Sequence, residues 1–125
     1  MKTQKTILII EDNPSNLKLI RDLLIYQKYN VLEATDGKTA INLVLENFKD
    51  VDLILTDLQL PDIDGLEIIN CLKASPESKD IPIMVVSAHA MEVDIKKCMD
   101  AGCVDYITKP INVQDFMKKI NFLLA

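Results

Sequence analysis

The stretch "VDLILTDLQLPDIDG", Val51 to Gly65, decides the fold. Its first six residues are apolar or β-branched apart from Asp52, so it reads as a strand covered on both faces rather than an alternating one. The run stops at an acid, Asp57, and an LPD turn follows. Asp64 then stands three residues before Glu67, the spacing of a capping box, and Leu66, Ile69 and Leu72 carry a helical stripe. A buried strand that passes through a short turn into an amphipathic helix is the repeating element of α/β architecture.

The same pattern recurs on both sides of this stretch. "TILII" (Thr6–Ile10) is a short buried strand stopped by acids. Asn13 can cap the helix that follows, and Pro14 suits its first position. Leu17, Ile20, Leu23 and Leu24 form its stripe. "YNVLEA" (Tyr29–Ala34) is a weaker strand. Asp36 can cap a second helix carrying Ala40, Ile41, Leu43, Val44 and Phe48. After the loop "ASPESKD", "IPIMVVSA" (Ile81–Ala88) is a fourth strand, and Met91, Ile95, Cys98 and Met99 mark a helix ending near Gly102. "VDYIT" (Val104–Thr108) is the fifth strand, and Asn112 can cap a last helix carrying Phe116, Ile120, Leu123 and Leu124.

The expected fold is α/β and flavodoxin-like: (βα)5, a five-stranded parallel sheet of order 2-1-3-4-5 with helices on both faces. The 125 residues, 49% hydrophobic and 26% charged, fit one domain, residues 1–125. A chain of this size buries about two-thirds of its unfolded surface, enough for a core without staples. From the initial Met and the compact end, a complete chain with no output domain after Ala125 is expected. A net charge of −5, with no clustering of Lys and Arg, argues against nucleic-acid binding. No apolar run is long enough to span a membrane, and "MKTQKTILIIEDN" is not a signal peptide, so the expected location is cytoplasmic. Cys71, Cys98 and Cys103 are odd in number and without CxxC spacing, which reads as reduced thiols in or near the core rather than a metal site with His89.

Ligands of such sheets bind outside the carboxyl ends of the strands, at the switch point between the first and third. Glu11 and Asp12 follow the first strand, Asp57 the third, Ser87 ends the fourth, and Lys109-Pro110 follows the fifth. Each has a plainer reading alone: Asp12 as a helix cap, Glu11 as a solvated acid, Asp57 as a turn residue, Ser87 bonded to backbone, Lys109 as an exposed loop residue. The fold brings them into one crevice. Two carboxylates about 5 Å apart repel by roughly 3 kcal/mol at an effective dielectric near 20, so without a compensating cation at least one pKa should rise. Mg²⁺ takes such oxygen ligands. An acid cluster with a cation, an ammonium and a hydroxyl forms a receptor for a phosphoryl group, and Asp57 as nucleophile would give an aspartyl phosphate.

"ILIIEDN", "LILTDLQLPDIDGLE", "VVSA" and "AGCVDYITKPI", in order from Lys5 to Leu124, resemble the signature blocks of the receiver domain of two-component response regulators. "EDNPSN", "QLPDIDGLE", "AHAM" and "KPINVQDF" are similar to the DivK-type single-domain cell-division regulators. The resemblance implies that Asp57 accepts a phosphoryl group from a phosphohistidine. It implies that Asp12, Asp57 and the backbone carbonyl of Gln59 ligate Mg²⁺, with Glu11 at or behind the metal shell through water. Ser87 and Lys109 would contact the phosphoryl group, Tyr106 would be the switch aromatic, and the Lys109–Pro110 bond would be cis. Gln59 and His89 would tune dephosphorylation, although an exposed loop histidine is the plainer reading of His89.

The implied partners are a histidine kinase or a histidine phosphotransferase, and a downstream protein that binds the face of the fourth helix, fifth strand and fifth helix. Met91, Val93, Tyr106 and Val113 are expected on that face; ordinary core packing is the competing reading of Met91. The chain is expected to be a monomer and a signalling phosphoacceptor that catalyses its own phosphoryl transfer and slow autodephosphorylation. It would act as a diffusible regulator or as a phosphorelay shuttle. A phosphatase of the haloacid dehalogenase type is the enzymatic rival, but it needs an acid two residues after the nucleophile, where Gln59 stands. An FMN carrier would need a Ser/Thr/Gly-rich phosphate loop after the first strand, where "EDNP" stands. A receiver-like interaction module that is never phosphorylated is the third rival.

Overall fold

The computed structural model describes residues 4–88 and 91–125. Ten elements alternate along the chain: β1 (Thr6–Ile10), α1 (Pro14–Tyr26), β2 (Asn30–Ala34), α2 (Gly37–Asn47), β3 (Val51–Thr56), α3 (Gly65–Ala74), β4 (Ile83–Ser87), α4 (Glu92–Ala101), β5 (Asp105–Thr108) and α5 (Val113–Leu123). The sheet order is β2-β1-β3-β4-β5 and every pairing is parallel. The expected fold class and strand order are therefore observed.

Strand periodicity divides the core in two. Ile7 and Ile9 pack on one face with Leu17, Ile20 and Leu24 of α1 and Phe116 and Ile120 of α5. Leu8 and Ile10 pack on the other with α2, α3 and α4. Both faces are covered, which is why β1, β3 and β4 are apolar almost without interruption. No described helix is long and apolar enough to cross a membrane.

The expected caps form, because each short polar side chain meets an N–H the helix cannot satisfy itself. Asn13 accepts from Asn16 N–H at 3.0 Å, Asp36 from Thr39 N–H at 2.7 Å, and Asn112 from Asp115 N–H at 3.0 Å. Asp64 also caps, but through Leu66 N–H at 2.8 Å, one residue short of the capping-box position. Gly102, at φ 116°, closes α4 in the left-handed region.

Two helical stripes differ from their expectation. In α3, Ile68 is fully buried beside Ile69 and Leu72, whereas Leu66 is only half-buried. In α4, Cys98 is the one buried residue; Met91 is 66% exposed and Met99 is also exposed. Core packing of Met91 is thus ruled out. The helix lies against α3 along a narrow strip, so most of its apolar spacing faces water.

The cysteines follow this packing. Cys71 is exposed, while Cys98 and Cys103 are buried in contact with each other. Burial pushes the Cys98 thiol up and the Cys103 thiol up to about 12. The native protein is expected to react rapidly with a thiol reagent at Cys71 alone, and at all three cysteines once unfolded. Titration with a chromogenic disulfide checks this; three rapid equivalents from the native state would contradict it.

Candidate functional site

The parallel register sets the carboxyl ends of the strands side by side. Ile10 is level with Thr56, and Ser87 with Thr108. The ladder continues past the strands: Glu11 N–H donates to Ala34 O at 3.0 Å, Asp57 N–H to Ile10 O at 3.0 Å, and Lys109 N–H to Ser87 O at 2.8 Å. The three side chains are thus set on hydrogen-bonded backbone, not on free loops. The Lys109–Pro110 bond is cis, as expected.

Lys109 Nζ bridges the two acids. It donates to Glu11 Oε1 at 2.6 Å and to Asp57 Oδ2 at 2.9 Å. The remaining oxygens are also engaged: Glu11 Oε2 accepts from Asn13 N–H at 3.2 Å, and Asp57 Oδ1 from Gln59 N–H at 3.2 Å. Glu11 is 2% exposed, so the solvated reading fails for it. Asp12 is exposed and does not cap α1, a role that Asn13 fills.

One oxygen from each of Glu11, Asp12 and Asp57 lies within 4.8 Å of the others. At that spacing a carboxylate should be held above its ordinary pKa, and Glu11 is. The largest cause is burial rather than repulsion. The bonds from Lys109 and Asn13 pull it down, and the charge of Asp57 adds a smaller upward push. For Lys109, burial works downward, but the bonds to Glu11 and Asp57 outweigh it and raise its pKa. The donor set is three carboxylates on hard oxygens, which fits a hard divalent cation such as Mg²⁺. The cluster opens into a cleft of about 440 Å³, lined also by Gln59, Ala88 and Lys109.

Ser87 behaves differently from the other predicted groups. It is completely buried, and its hydroxyl shares a hydrogen bond with that of Tyr106. Tyr106 is half-buried, and burial pushes its phenol up. The expectation for His89 falls on residues 89–90, outside those described.

Two further residues shape the site, and the sequence reading had assigned neither a role in it. Gly65 N–H donates to Leu58 O at 2.9 Å, and a Cβ on Gly65 would sit 2.5 Å from the Asp57 carbonyl oxygen. Asp62 accepts from Gly37 N–H and Lys38 N–H, at 2.7 and 3.0 Å. The "PDIDG" turn was legible, but its partner 25 residues away was not.

The chain matches the response regulator receiver domain family over residues 7–121. It is 40% identical over 121 residues to the polar-differentiation response regulator DivK of Brucella ovis, covering 97% of each chain. Among solved structures, it is similar to the phosphorylated cyanobacterial phytochrome response regulator RcpA, at TM-score 0.86 and 31% identity, over 98% of this chain and 96% of that one. It is also similar to the receiver domain of a sensor histidine kinase from Pseudomonas aeruginosa PAO1, which has magnesium coordinated in its active-site cleft. There the TM-score is 0.83 and the identity 29%, over 98% and 100% of the two chains. With strand order, cleft and sequence in agreement, the chain belongs to the response regulator receiver domain family of two-component signalling.

Proposed function

We propose that the chain is a single receiver unit over residues 1–125. Asp57 takes a phosphoryl group from a phosphohistidine of a histidine kinase or histidine phosphotransferase, and the phosphorylated form signals through a change in protein binding. The observation that carries this reading is the ammonium of Lys109 held between Glu11 and Asp57, beside an exposed Asp12, in an open cleft. An Asp57 oxygen attacks phosphorus, the P–N bond breaks, and its electron pair stays on the imidazole nitrogen. The product is a mixed phosphoryl–carboxyl anhydride at residue 57.

The chain's own residues position and neutralise. Asp12, Asp57 and the Gln59 backbone carbonyl would hold Mg²⁺, with Glu11 at or behind the metal shell through water. When bound, the ion screens the charge gathered on the phosphoryl oxygens. Lys109 turns from carboxylate to phosphoryl oxygen as the group arrives. Ser87 would join it, and because its hydroxyl is hydrogen-bonded to that of Tyr106, a shift of Ser87 towards the phosphoryl group would be felt in β5. Exposed Met91, Val93 and Val113, with half-buried Tyr106, support a docking face built from α4, β5 and α5. The protein is in this reading a phosphoacceptor, with slow autodephosphorylation tuned by Gln59 and His89.

Removing the metal tests the reading. Acetyl phosphate with Mg²⁺ should label the protein, and EDTA should reduce labelling to background. Labelling indifferent to EDTA would contradict it, and steady phosphate release from generic monoesters would favour the phosphatase rival. Lys109→Ala should retain part of the labelling but lose the phosphorylation-dependent change in hydrogen exchange over α4 and β5. A variant whose exchange still responds like the wild type would remove Lys109 from the switch.

A further inference from the structure

The loop from Asp57 to α3 is fastened near its middle to a helix it does not lead into. Asp62 Oδ1 accepts from Gly37 N–H at 2.7 Å and from Ile63 N–H at 2.9 Å, and Oδ2 accepts from Lys38 N–H at 3.0 Å. Gly37 and Lys38 are the first two residues of α2. Asp36, the cap of that helix, takes the third N–H, that of Thr39. Two carboxylates from separate parts of the chain therefore satisfy all three leading N–H groups, and these bonds hold the Asp62 carboxyl below its usual range.

An ordinary cap already starts α2, so the consequence of the second carboxylate falls on the loop. Ile63 lies against the same spot: a Cβ on Gly37 would come within 3.0 Å of the Ile63 Cβ. At the other end, Gln59 N–H is bonded to Asp57 Oδ1. Only Leu60 and Pro61 separate Gln59 from Asp62, and the proline ring fixes one of the intervening dihedrals. The proline also restricts Leu60 before it, so the short link can pass a displacement of Asp62 on to Gln59.

We propose that Asp62 is a positioning residue for the phosphoacceptor site. By clamping the loop to the N-terminus of α2, it holds the Gln59 backbone at the place where its carbonyl meets the cation. The clamp rests on the functional reading above, in which Gln59 is a metal ligand.

The test compares Asp62→Ala with Asp36→Ala in the full chain, reading Mg²⁺ affinity by calorimetry and the thermal midpoint of each. Both variants remove a carboxylate from the start of α2, but only one touches the loop. Asp62→Ala should weaken Mg²⁺ several-fold, less than the roughly tenfold or more that follows loss of a direct partner of a metal ligand, with labelling restored at saturating Mg²⁺. Asp36→Ala should lower the midpoint and keep wild-type affinity. Wild-type Mg²⁺ affinity in Asp62→Ala would overturn the clamp, and equal weakening in both variants would overturn it by tracing the effect to α2 stability. A wild-type protein that binds no Mg²⁺ would instead fail the functional reading, and the clamp with it.

Discussion

Asp57→Asn will reduce phosphoryl labelling by acetyl phosphate and Mg²⁺ to background while leaving the protein folded. The substitution keeps the size and one acceptor oxygen of the side chain but removes its charge, and with it the nucleophile. Neither neighbouring acid can take over. Glu11 is buried, with one oxygen on Lys109 and the other on Asn13. Asp12 is exposed at the rim, without the contact to Lys109 that Asp57 has. Lys109 keeps Glu11 as a partner in the variant, so the cleft is not left with an unpaired ammonium. Intact mass after incubation, with circular dichroism as the check on folding, decides it. Labelling that survives the substitution would remove Asp57 from its role.

Gly65→Ala is expected to cost about 3 kcal/mol of stability, the upper end for inserting a group into packed structure without room. Alanine is otherwise the better helix former, so propensity alone predicts a gain. Space decides the sign. The added Cβ would lie 2.5 Å from the Asp57 carbonyl oxygen and 2.6 Å from the Leu58 Cα. Both are backbone atoms, and they cannot rotate away. Relief requires moving either α3 or the segment that carries Asp57, so labelling should fall along with stability. Gly37→Ala is the informative contrast, because its Cβ meets the side chains of Ile68 and Ile63 rather than backbone. Urea denaturation should show a large midpoint shift for Gly65→Ala and a smaller one for Gly37→Ala. An unchanged midpoint for Gly65→Ala would show that the loop is more yielding than its bonds imply.

β1, β3 and β4 were legible because a doubly covered parallel sheet writes them as short apolar runs, and the edge strands β2 and β5 and the strand order followed from the repeating βα pattern. That order also brought Glu11, Asp12, Asp57 and Lys109 to one edge on paper, since every strand of a parallel sheet ends on the same side. What could not be read was the choice of partner. Lys109 bridging Glu11 and Asp57, and Ser87 turning to Tyr106, depend on side-chain directions that spacing does not encode. Asp62 was seen as part of a turn because its partners, Gly37 and Lys38, are remote in sequence. The stripe of α4 misled for a related reason. Met91, Ile95, Cys98 and Met99 have the spacing of a core face, but only Cys98 is buried, because periodicity marks an apolar stripe without saying whether another element covers it.

The measurement that bears most directly on this account is chemical capture of the phosphoryl group at its site. The wild-type chain, incubated with acetyl phosphate and Mg²⁺ and then treated with borohydride, should carry homoserine at residue 57, because hydride reduces an acyl phosphate and leaves free carboxylates alone. Peptide mass spectrometry would locate it. Homoserine at Asp57 and at no other acid is the predicted result; capture at another acid, or a phosphate that resists hydride and stays on a hydroxyl or a ring nitrogen, would contradict it.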